Sequence, residues 1–267
     1  MSNQCFFLPA GELAGARTGT ELHLDGPEGH HAVTVKRVRA GEMIDLVDGS
    51  GVRAVAEVTD TQKSALDAIV RALEVEAAAP VGITLVQALA KGDRDLQAVE
   101  SAVELGIDAV RPWQSDRAIV RWNEAKAAKA LGKWESTVLA ALKQSRRTFL
   151  PEVRPMLTSS ELARDIAERA SSGAPTLVVV LHEAGTDSLA AVVAQWLEAN
   201  PVAPSAEAGA RPEITLVVGP EGGISDAELG TFTAAGAKVA LLGSHVLRAS
   251  TAGPAALVLV RHLLGQL

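Results

Sequence analysis

From residue 81 onward, short apolar runs alternate with segments in which apolar residues recur at helical spacing. Leu96, Val99 and Val103 illustrate that spacing, since they fall on one face of a helix. Strands that alternate with helices form a mostly parallel sheet covered on both faces. The pattern therefore predicts an α/β domain. Its predicted strands cover residues 83–89, 109–113, 177–181, 214–218 and 239–242.

The residues before this alternation have a different pattern, with short β-like runs at residues 5–8, 32–38, 43–47 and 53–58. Asp48-Gly49-Ser50-Gly51 predicts a hairpin turn between the last two runs, because glycine adopts the positive φ angles that such turns require. An alanine-rich stretch that ends in Pro80 separates the two patterns. We therefore predict a small β domain over residues 1–75 and a larger α/β domain over residues 76–267.

The charge balance restricts how this chain can bind nucleic acid. Its 25 basic and 32 acidic residues give a net charge of −7, which argues against a protein that coats nucleic acid by bulk attraction. RNA binding would therefore need basic residues that are grouped locally. For each such group, the alternative is a charged surface that faces solvent and binds no ligand. Three groups stand out: Lys36, Arg37 and Arg39; Arg111, Arg117 and Arg121; and Lys143, Arg146, Arg147 and Arg154.

The residue types also restrict the cellular setting. The single cysteine, Cys5, excludes an intramolecular disulfide and a zinc site built from cysteines. His30 and His31 lack a nearby third ligand, which favours a surface position, so we expect no metal site. No secretory signal is recognisable, and no apolar stretch approaches the roughly 20 residues of a membrane span. We expect a cytoplasmic protein without a membrane partner.

The strongest chemical signal is a glycine-rich turn, Gly219-Pro220-Glu221-Gly222-Gly223, that follows the predicted strand 214–218. Its last two glycines let backbone amides approach a ligand, and the proline stiffens the turn. Ser225 and Glu228 then match the capping box that begins a helix. The turn is neither a P-loop nor a dinucleotide-binding fingerprint. It suits a nucleotide-like cofactor, and the alternative is a tight turn without a ligand.

A second turn follows the predicted strand 239–242 and contains Gly243. Residues 255–264 are apolar, and we predict a helix there with Pro254 in its first turn, a position that proline tolerates. Two such turns lie at the same end of a parallel sheet, where open α/β sheets bind ligands. His182-Glu183 ends another predicted strand at this edge. The pair either lines the cofactor site or has a structural role, with its polar groups hydrogen-bonded at the strand end.

Together with other segments, the two turns resemble the ribosomal RNA small subunit methyltransferase E (RsmE) family of the SPOUT superfamily. The resemblance runs in the family's order over nearly the whole chain. The α/β segments that carry it are GPEGG at 219–223, Leu-Gly at 242–243 with Leu-Arg at 247–248, KGDR at 91–94, ELGI at 104–107 and QSRR at 144–147 with Pro151. The amino-terminal ones are HHAV at 30–33, Val38-Arg39, Gly41 and DGSG at 48–51.

Two departures from the family pattern concern functional positions. The family commonly has Thr and Glu after the Leu-Arg pair, where this chain has Ala249 and Ser250. No carboxylate is therefore expected to act there. An arginine common just before the first strand is replaced by Gln4 or Cys5, so another group would have to take over any RNA contact it makes.

The resemblance implies a SPOUT-type parallel sheet with a C-terminal trefoil knot, preceded by a small PUA-like β-barrel domain that binds RNA. It implies S-adenosylmethionine as the cofactor, held in the knotted loops, and a homodimer whose active site uses both subunits. It also implies methylation at N3 of a uridine in 16S rRNA, within the small ribosomal subunit.

The two turns and the resemblance together predict the residues of the site. The expected cofactor contacts are Leu181, His182, Glu183, Val218, Gly219, Pro220, Glu221, Gly222, Gly223, Leu242, Gly243, Val246, Leu247, Thr251 and Ala252. The expected RNA contacts are Lys36, Arg37, Arg39, Lys91, Arg94, Arg117, Arg146 and Arg147.

Arg248 is the leading candidate for a catalytic residue. Methylation at N3 places growing negative charge on O2 and O4 of the uracil, which a positioned cation would stabilise. A guanidinium stays charged and can donate two hydrogen bonds to a carbonyl edge or a phosphate. The alternative is a structural role, in which Arg248 pairs with Glu221 or with a helix end.

Two other functions fit parts of the sequence. A non-catalytic RNA-binding assembly factor would need the basic groups but no cofactor. An enzyme acting on a small nucleotide would explain the glycine turns and the acidic balance, but would leave the β domain and its basic residues without a role. The presence of both turns favours the methyltransferase.

Overall fold

The computed structural model describes residues 3–201 and 211–267. The chain divides into two compact units, one formed by Met1–Ala78 with Leu142–Leu150 and the other by Ala79–Ala141 with Pro151–Leu267. The Pro-, Ala-, Ser- and Gly-containing sequence at residues 200–212 predicts a loop within the α/β domain, and most of it, residues 202–210, lies outside the described residues. Among the helices that are described, none is long and apolar enough to cross a bilayer.

The first unit contains a five-stranded sheet with the order β1-β3-β4-β5-β2. The β1–β3 pair is parallel, and the other neighbours are antiparallel. Phe6, Leu46 and Leu66 are buried in its core. Gly49 and Gly51 have φ angles of +81° and +94° between β3 and β4, which confirms the predicted hairpin turn. The strands are β1 Gln4–Phe7, β2 Glu21–Leu24, β3 Met43–Val47, β4 Val52–Thr61 and β5 Leu66–Val75.

The strand predicted at residues 32–38 is wrong, because this segment is helical. An α-helix, α1 Gly26–His30, continues directly into a π-helix, His31–Val35. Pro27 lies in the first turn of α1, where a missing N–H costs nothing. Ala32 is fully buried in the core of the unit. Packing of this helical face therefore overrides the β preference of the branched residues that follow Ala32.

Residues 142–150 belong to the first unit, although they lie far along the chain from the predicted boundary at residues 75 and 76. Leu150 donates its backbone N–H to the Gly49 carbonyl at 3.1 Å. Arg53 donates from Nη2 to the Arg146 carbonyl at 2.8 Å. These hydrogen bonds hold the segment against the β3–β4 hairpin, and no local sequence pattern indicates them.

The second unit contains an eight-stranded sheet in which every strand pair is parallel, which confirms the predicted parallel α/β sheet. The strand order is β11-β13-β10-β12-β6-β7-β8, and β9 also pairs with β7. The strands are β6 Gly82–Ala88, β7 Ala109–Gln114, β8 Glu152–Val153, β9 Leu157–Thr158, β10 Thr176–Leu181, β11 Asp187–Ser188, β12 Glu213–Val218 and β13 Lys238–Leu241.

Helices connect these strands, and two of them begin at capping boxes, one of which is the box predicted at Ser225 and Glu228. Thr158 and Glu161 cap α4, and Ser225 and Glu228 cap α6, each with both reciprocal hydrogen bonds. The cap fixes where each helix begins relative to the preceding turn. The helices are α2 Arg94–Glu104, α3 Glu124–Ser145, α4 Ser159–Ser171, α5 Leu189–Ala199, α6 Asp226–Ala234 and α7 Ala249–Leu263.

The last helix begins earlier than predicted. The amides of Thr251 and Ala252 both donate to the Arg248 carbonyl, at 2.8 Å and 3.0 Å, so Arg248 is the N-cap residue of α7. Pro254 therefore lies inside the helix rather than in its first turn. Pro254 and Leu257 are both buried, and this apolar burial offsets part of the loss of the amide hydrogen bond that proline cannot make.

A partly buried charge network lies at the amino-terminal end of β12. Glu213 accepts hydrogen bonds from Arg154 Nη1 and Arg169 Nη1, both at 2.9 Å, and from Thr84 Oγ1 at 2.7 Å. Burial alone would raise the pKa of Glu213, but the hydrogen bonds from Arg154 and Thr84 and the two guanidinium charges lower it to about 2. The charged carboxylate is therefore the form that the folded state stabilises.

This network predicts a specific pH dependence of stability. Because the folded pKa of Glu213 lies below its ordinary value of 4.5, its contribution of about 3 kcal/mol is complete above pH 5 and is lost as pH falls towards 2. Glu213→Gln should lower the free energy of unfolding at neutral pH and flatten its dependence between pH 5 and 2. Urea unfolding at several pH values measures both effects.

Glu152→Gln is the matched control, since the Glu152 side chain is 63% exposed and also pairs with Arg154. It should change the free energy of unfolding by less than about 1 kcal/mol. An unaltered pH dependence in Glu213→Gln would contradict the assigned role of the network.

Candidate active site

A cavity of about 790 Å³ lies within the second unit at the carboxyl ends of β10, β12 and β13. It is lined by the two glycine-containing turns and by the strand end at Leu181. Every residue predicted to bind the cofactor lines this cavity except Thr251. The structure adds lining residues that the sequence patterns did not indicate, namely Ile224, Ala240, Leu241, Ser244, His245 and Ala249.

The GPEGG turn forms one wall, and Glu221 joins it to the start of α2. Gly223 donates its backbone N–H to the Pro220 carbonyl at 2.9 Å, which closes the turn. Glu221 Oε1 accepts from the backbone N–H of Lys91 at 3.2 Å and from Arg94 Nη1 at 3.1 Å. Arg94, predicted to contact RNA, therefore lies on the cavity wall, paired with this carboxylate.

Arg248 lies where the second turn meets α7, and its side chain faces the cavity from an exposed position. Glu221, one structural partner considered for it, is occupied by Arg94. Within the described part of the chain, the Arg248 guanidinium makes no hydrogen bond or ion pair. Its backbone carbonyl caps α7, so the side chain is positioned by the helix start and remains available to a ligand.

The second turn presents apolar side chains at the cavity mouth. Val246 is 84% exposed and Leu247 is 39% exposed. Neighbouring Gly243, Ser244 and His245 are also exposed. An exposed apolar turn beside a cavity is typical of a surface that a ligand or a second chain covers.

A loop after β7 covers the other side of the GPEGG turn and carries Arg117. Arg117 Nη1 lies 3.5 Å from the Gly222 carbonyl oxygen, and Arg117 lines the cavity. Glu228 fixes this loop, since its Oε1 accepts from the Asp116 backbone N–H at 2.8 Å and from Ser159 Oγ at 2.6 Å. The capping-box signal identified Glu228 as a helix cap but gave no indication of this second role.

Glu228 is buried, with an exposed fraction of only 3%. Burial would raise the pKa of this carboxyl group, but hydrogen bonds from Ser159, Asp116 and Ser225 lower it. Glu228 therefore remains charged and joins the loop after β7, the start of α4 and the GPEGG turn.

The strand end at His182 and Glu183 completes the cavity wall. His182 Nδ1 accepts from the Ala184 backbone N–H at 3.1 Å, and the His182 backbone N–H donates to the Ala240 carbonyl at 3.2 Å. Both His182 and Glu183 line the cavity, and His182 also makes these strand-end hydrogen bonds. The two alternatives for the pair are therefore compatible.

The predicted RNA-binding residues are divided between the two units. Lys36, Arg37 and Arg39 are exposed and follow the π-helix of the first unit. Arg146 and Arg147 lie in the segment that joins the same unit and are half-buried. Lys91, Arg94 and Arg117 belong to the second unit, where the last two line the cavity. Among the described residues, no group of three side chains is placed to hold a metal ion.

Two family models match the chain. The model of an RNA methyltransferase domain matches residues 77–261, and the model of an RNA methyltransferase PUA domain matches residues 24–71. The first match covers most of the second unit, including the whole cavity. The two models therefore correspond to the α/β and β parts of the chain.

Relatives with an assigned function cover most of the chain. Ribosomal RNA small subunit methyltransferase E of Mycobacterium tuberculosis is 39% identical over 90% of this chain and 86% of its own length. The chain belongs to the RsmE family. The Bacillus subtilis RsmE protein is 26% identical over 86% of this chain and 85% of its own length. The predicted family and enzyme class, an RNA methyltransferase, are thereby confirmed.

Solved structures of similar proteins have the same fold. RsmE of Neisseria gonorrhoeae, bound to S-adenosylmethionine, matches with a TM-score of 0.79 and 28% identity over 98% of both chains. A Legionella pneumophila methyltransferase with the same bound cofactor matches with a TM-score of 0.79 and 26% identity, again over 98% of both chains. The cofactor predicted for this RsmE chain is the one bound in both structures.

The close packing at Gly222 gives a test of the cavity as a cofactor site. A Cβ atom on Gly222 would lie 3.0 Å from the Arg117 carbonyl oxygen and 3.2 Å from Arg117 Cβ, so a larger side chain must displace the turn or the loop. S-adenosylmethionine should raise the melting temperature of the native protein by several degrees, because a ligand that binds only the folded state stabilises it. Gly222→Val should abolish this shift, measured by scanning calorimetry.

Gly230→Val is the matched control, because Gly230 lies in α6 outside the cavity with open space around it. This variant should retain the full shift with S-adenosylmethionine. A Gly222→Val protein that folds and responds like the native protein would refute the assignment of the cavity.

Proposed function

We propose that this protein transfers the methyl group of S-adenosylmethionine to N3 of a uridine in 16S rRNA of the small ribosomal subunit, acting in the cytoplasm. The observation that carries the proposal is the Arg248 guanidinium, which has no protein partner among the described residues and lies beside a cavity built from two glycine-containing turns. Family membership supports rRNA methylation, and the choice of N3 rests on the resemblance and on the chemistry of the uracil ring.

The cavity residues fit S-adenosylmethionine as a ligand. A volume of about 790 Å³ falls within the roughly 300–1,000 Å³ of small-molecule sites. Val218 and Leu181 supply apolar surface for an adenine ring, and Gly222 and Gly223 line the cavity without side chains that would fill it. When bound, S-adenosylmethionine supplies an electrophilic methyl carbon on a sulfonium centre.

The remaining chemistry is to hold a deprotonated uridine N3 in line with that carbon. Loss of the N3 proton to solvent water places negative charge on the uracil O2 and O4 atoms, and a fixed cation beside them lowers the barrier. Arg248 is suited to this role because the cap of α7 fixes its backbone while its side chain is free of protein partners within the described residues. Access to N3 requires an unstacked or flipped base.

The proposal includes a trefoil knot around the two turns and a homodimer, both of which the resemblance implies. The exposed side chains of Val246 and Leu247 support a second copy beside the cavity mouth, because burying them would remove apolar surface from water. In a homodimer, the partner would then complete the wall next to Arg248.

The β domain supplies RNA binding in this proposal. Lys36, Arg37 and Arg39 are exposed close together in the chain, which suits contacts with phosphates. Local groups of this kind are required because the chain as a whole carries a net charge of −7. A non-catalytic assembly factor would use the same contacts but would transfer no methyl group.

Nucleoside analysis tests the proposed reaction. The protein is incubated with methyl-labelled S-adenosylmethionine and with small ribosomal subunits that lack the modification, and the rRNA is then digested to nucleosides. We expect the label in 3-methyluridine alone. Label in another nucleoside would exclude uridine N3, and bound cofactor without any transfer would favour an assembly factor.

The role of Arg248 predicts a selective loss of rate. Arg248→Ala should lower the single-turnover methylation rate by roughly 100-fold, the scale of losing one donor to a developing oxyanion. Affinities for S-adenosylmethionine and RNA should change much less, because the contact is strongest in the transition state. Arg248→Lys should restore only part of the rate, since an ammonium lacks the two-pronged contact.

Raised pH should partly rescue Arg248→Ala, because it supplies deprotonated uridine without the help of the cation. Arg71→Ala, which removes an exposed arginine from the β domain, is the control for the loss of a positive charge. The proposed role would fail if Arg248→Ala methylated at the native rate, or if it lost activity only through lost folding or cofactor binding.

A further inference from the structure

The exposed face of α3 carries a row of lysines. Lys126, Lys129 and Lys133 are spaced three and four residues apart, which places them on one face of the helix, and all three are exposed. The opposite face is buried through Trp134 and Val138. At 1.5 Å of rise per residue, the row extends over about 10 Å along the helix.

Within α3, the other residues three or four positions from these lysines are small and neutral, namely Ala125, Ala130, Gly132, Ser136 and Thr137. Ser136 Oγ donates to the Gly132 carbonyl and Thr137 Oγ1 to the Lys133 carbonyl, so both hydroxyls are bonded to their own helix. Glu135 lies about 200° around the helix from Lys133, on a different face. Lys126 and Lys129 have no ion-pair partner among the described residues. The face therefore combines positive charge with little side-chain bulk.

The row leads towards the cofactor cavity. Lys133 Nζ lies 2.8 Å from Asp93 Oδ1, and Asp93 is the N-cap residue of α2. The next residue, Arg94, lines the cavity and pairs with Glu221 of the GPEGG turn. The Lys133–Asp93 pair is exposed on both sides, so it contributes little stability and exchanges readily for another anion.

We infer that the Lys126–Lys129–Lys133 face binds the phosphate backbone of the RNA strand that flanks the target base, an inference that rests on the proposed function. Charge complementarity identifies the partner, because a row of ammonium groups amid small residues lets a phosphodiester chain approach closely. The cavity rim supplies Arg94 and Arg117 at one end of the same track. No base-reading side chain lies in the row, so it positions the strand without selecting its sequence.

Equilibrium binding to an unmodified transcript of the small-subunit rRNA tests this inference. The double variant Lys126→Ala/Lys129→Ala should bind roughly tenfold more weakly at 0.1 M salt, and the slope of log affinity against log salt should fall by about 1.5, since each phosphate contact contributes about 0.7 to 0.9. The melting-temperature shift with S-adenosylmethionine should be unchanged.

Two control variants make the test specific. Lys126→Arg/Lys129→Arg keeps both charges and should retain native affinity and salt slope. Lys238→Ala removes an exposed lysine from the start of β13, at the sheet end opposite the cavity, and should also behave as native. Native affinity and slope in the double alanine variant would overturn the inference, as would a loss of affinity without a change in slope.

The same variants separate this inference from the proposed function. If the native protein forms 3-methyluridine and the double alanine variant does so with an unchanged KM for RNA, the lysine face has no role and the function stands. If the native protein binds the transcript through the lysine face but forms no 3-methyluridine, the face stands and the proposed reaction fails.

Discussion

The geometry of the cavity depends on one buried carboxylate. Glu228 accepts hydrogen bonds from Asp116 and Ser159 through one oxygen, and from Ser225 through the other. These donors belong to three separate parts of the chain, and in water each would be solvated individually. Burial makes every one of these hydrogen bonds stronger and makes the loss of any one costly. The GPEGG turn and the loop that carries Arg117 are therefore held at a fixed distance from each other. That distance sets the width of the cavity on this side.

Much of the α/β fold could be predicted because its signals are local. The strand at residues 214–218 is apolar throughout, and the residues after it contain both the turn and the cap of the next helix. The segment at 32–38 misled the prediction because Val33, Thr34 and Val35 favour strands when considered alone, whereas burial of Ala32 decides their conformation. Residues 142–150 could not be assigned correctly, since their contacts with Gly49 and Arg53 join positions far apart in the chain.

The site shows the same division between local and distant information. Both glycine turns were evident in the sequence, and together they account for most of the cavity wall. The partners of Glu221 and Glu228 were not evident, because Arg94 and Asp116 lie more than one hundred residues away from them. The pairing of Glu221 with Arg94 also bears on catalysis. The sequence alone left open a structural pair between Glu221 and Arg248, but Arg94 occupies Glu221, and Arg248 has no partner within the described chain.

Pro254 inside α7 has a mechanical consequence for the active site. Proline has no amide hydrogen, so the Ser250 carbonyl lacks the donor four residues on that it would have in an uninterrupted helix. The first turn of α7, which carries the cap at Arg248, is therefore tied to the rest of the helix by fewer hydrogen bonds than later turns are. The sheet still anchors the helix beyond it through buried Leu257 and Val260. The position of Arg248 at the cavity rim consequently depends on its own cap and on the burial of Ala249 and Gly253, rather than on an unbroken ladder of backbone hydrogen bonds.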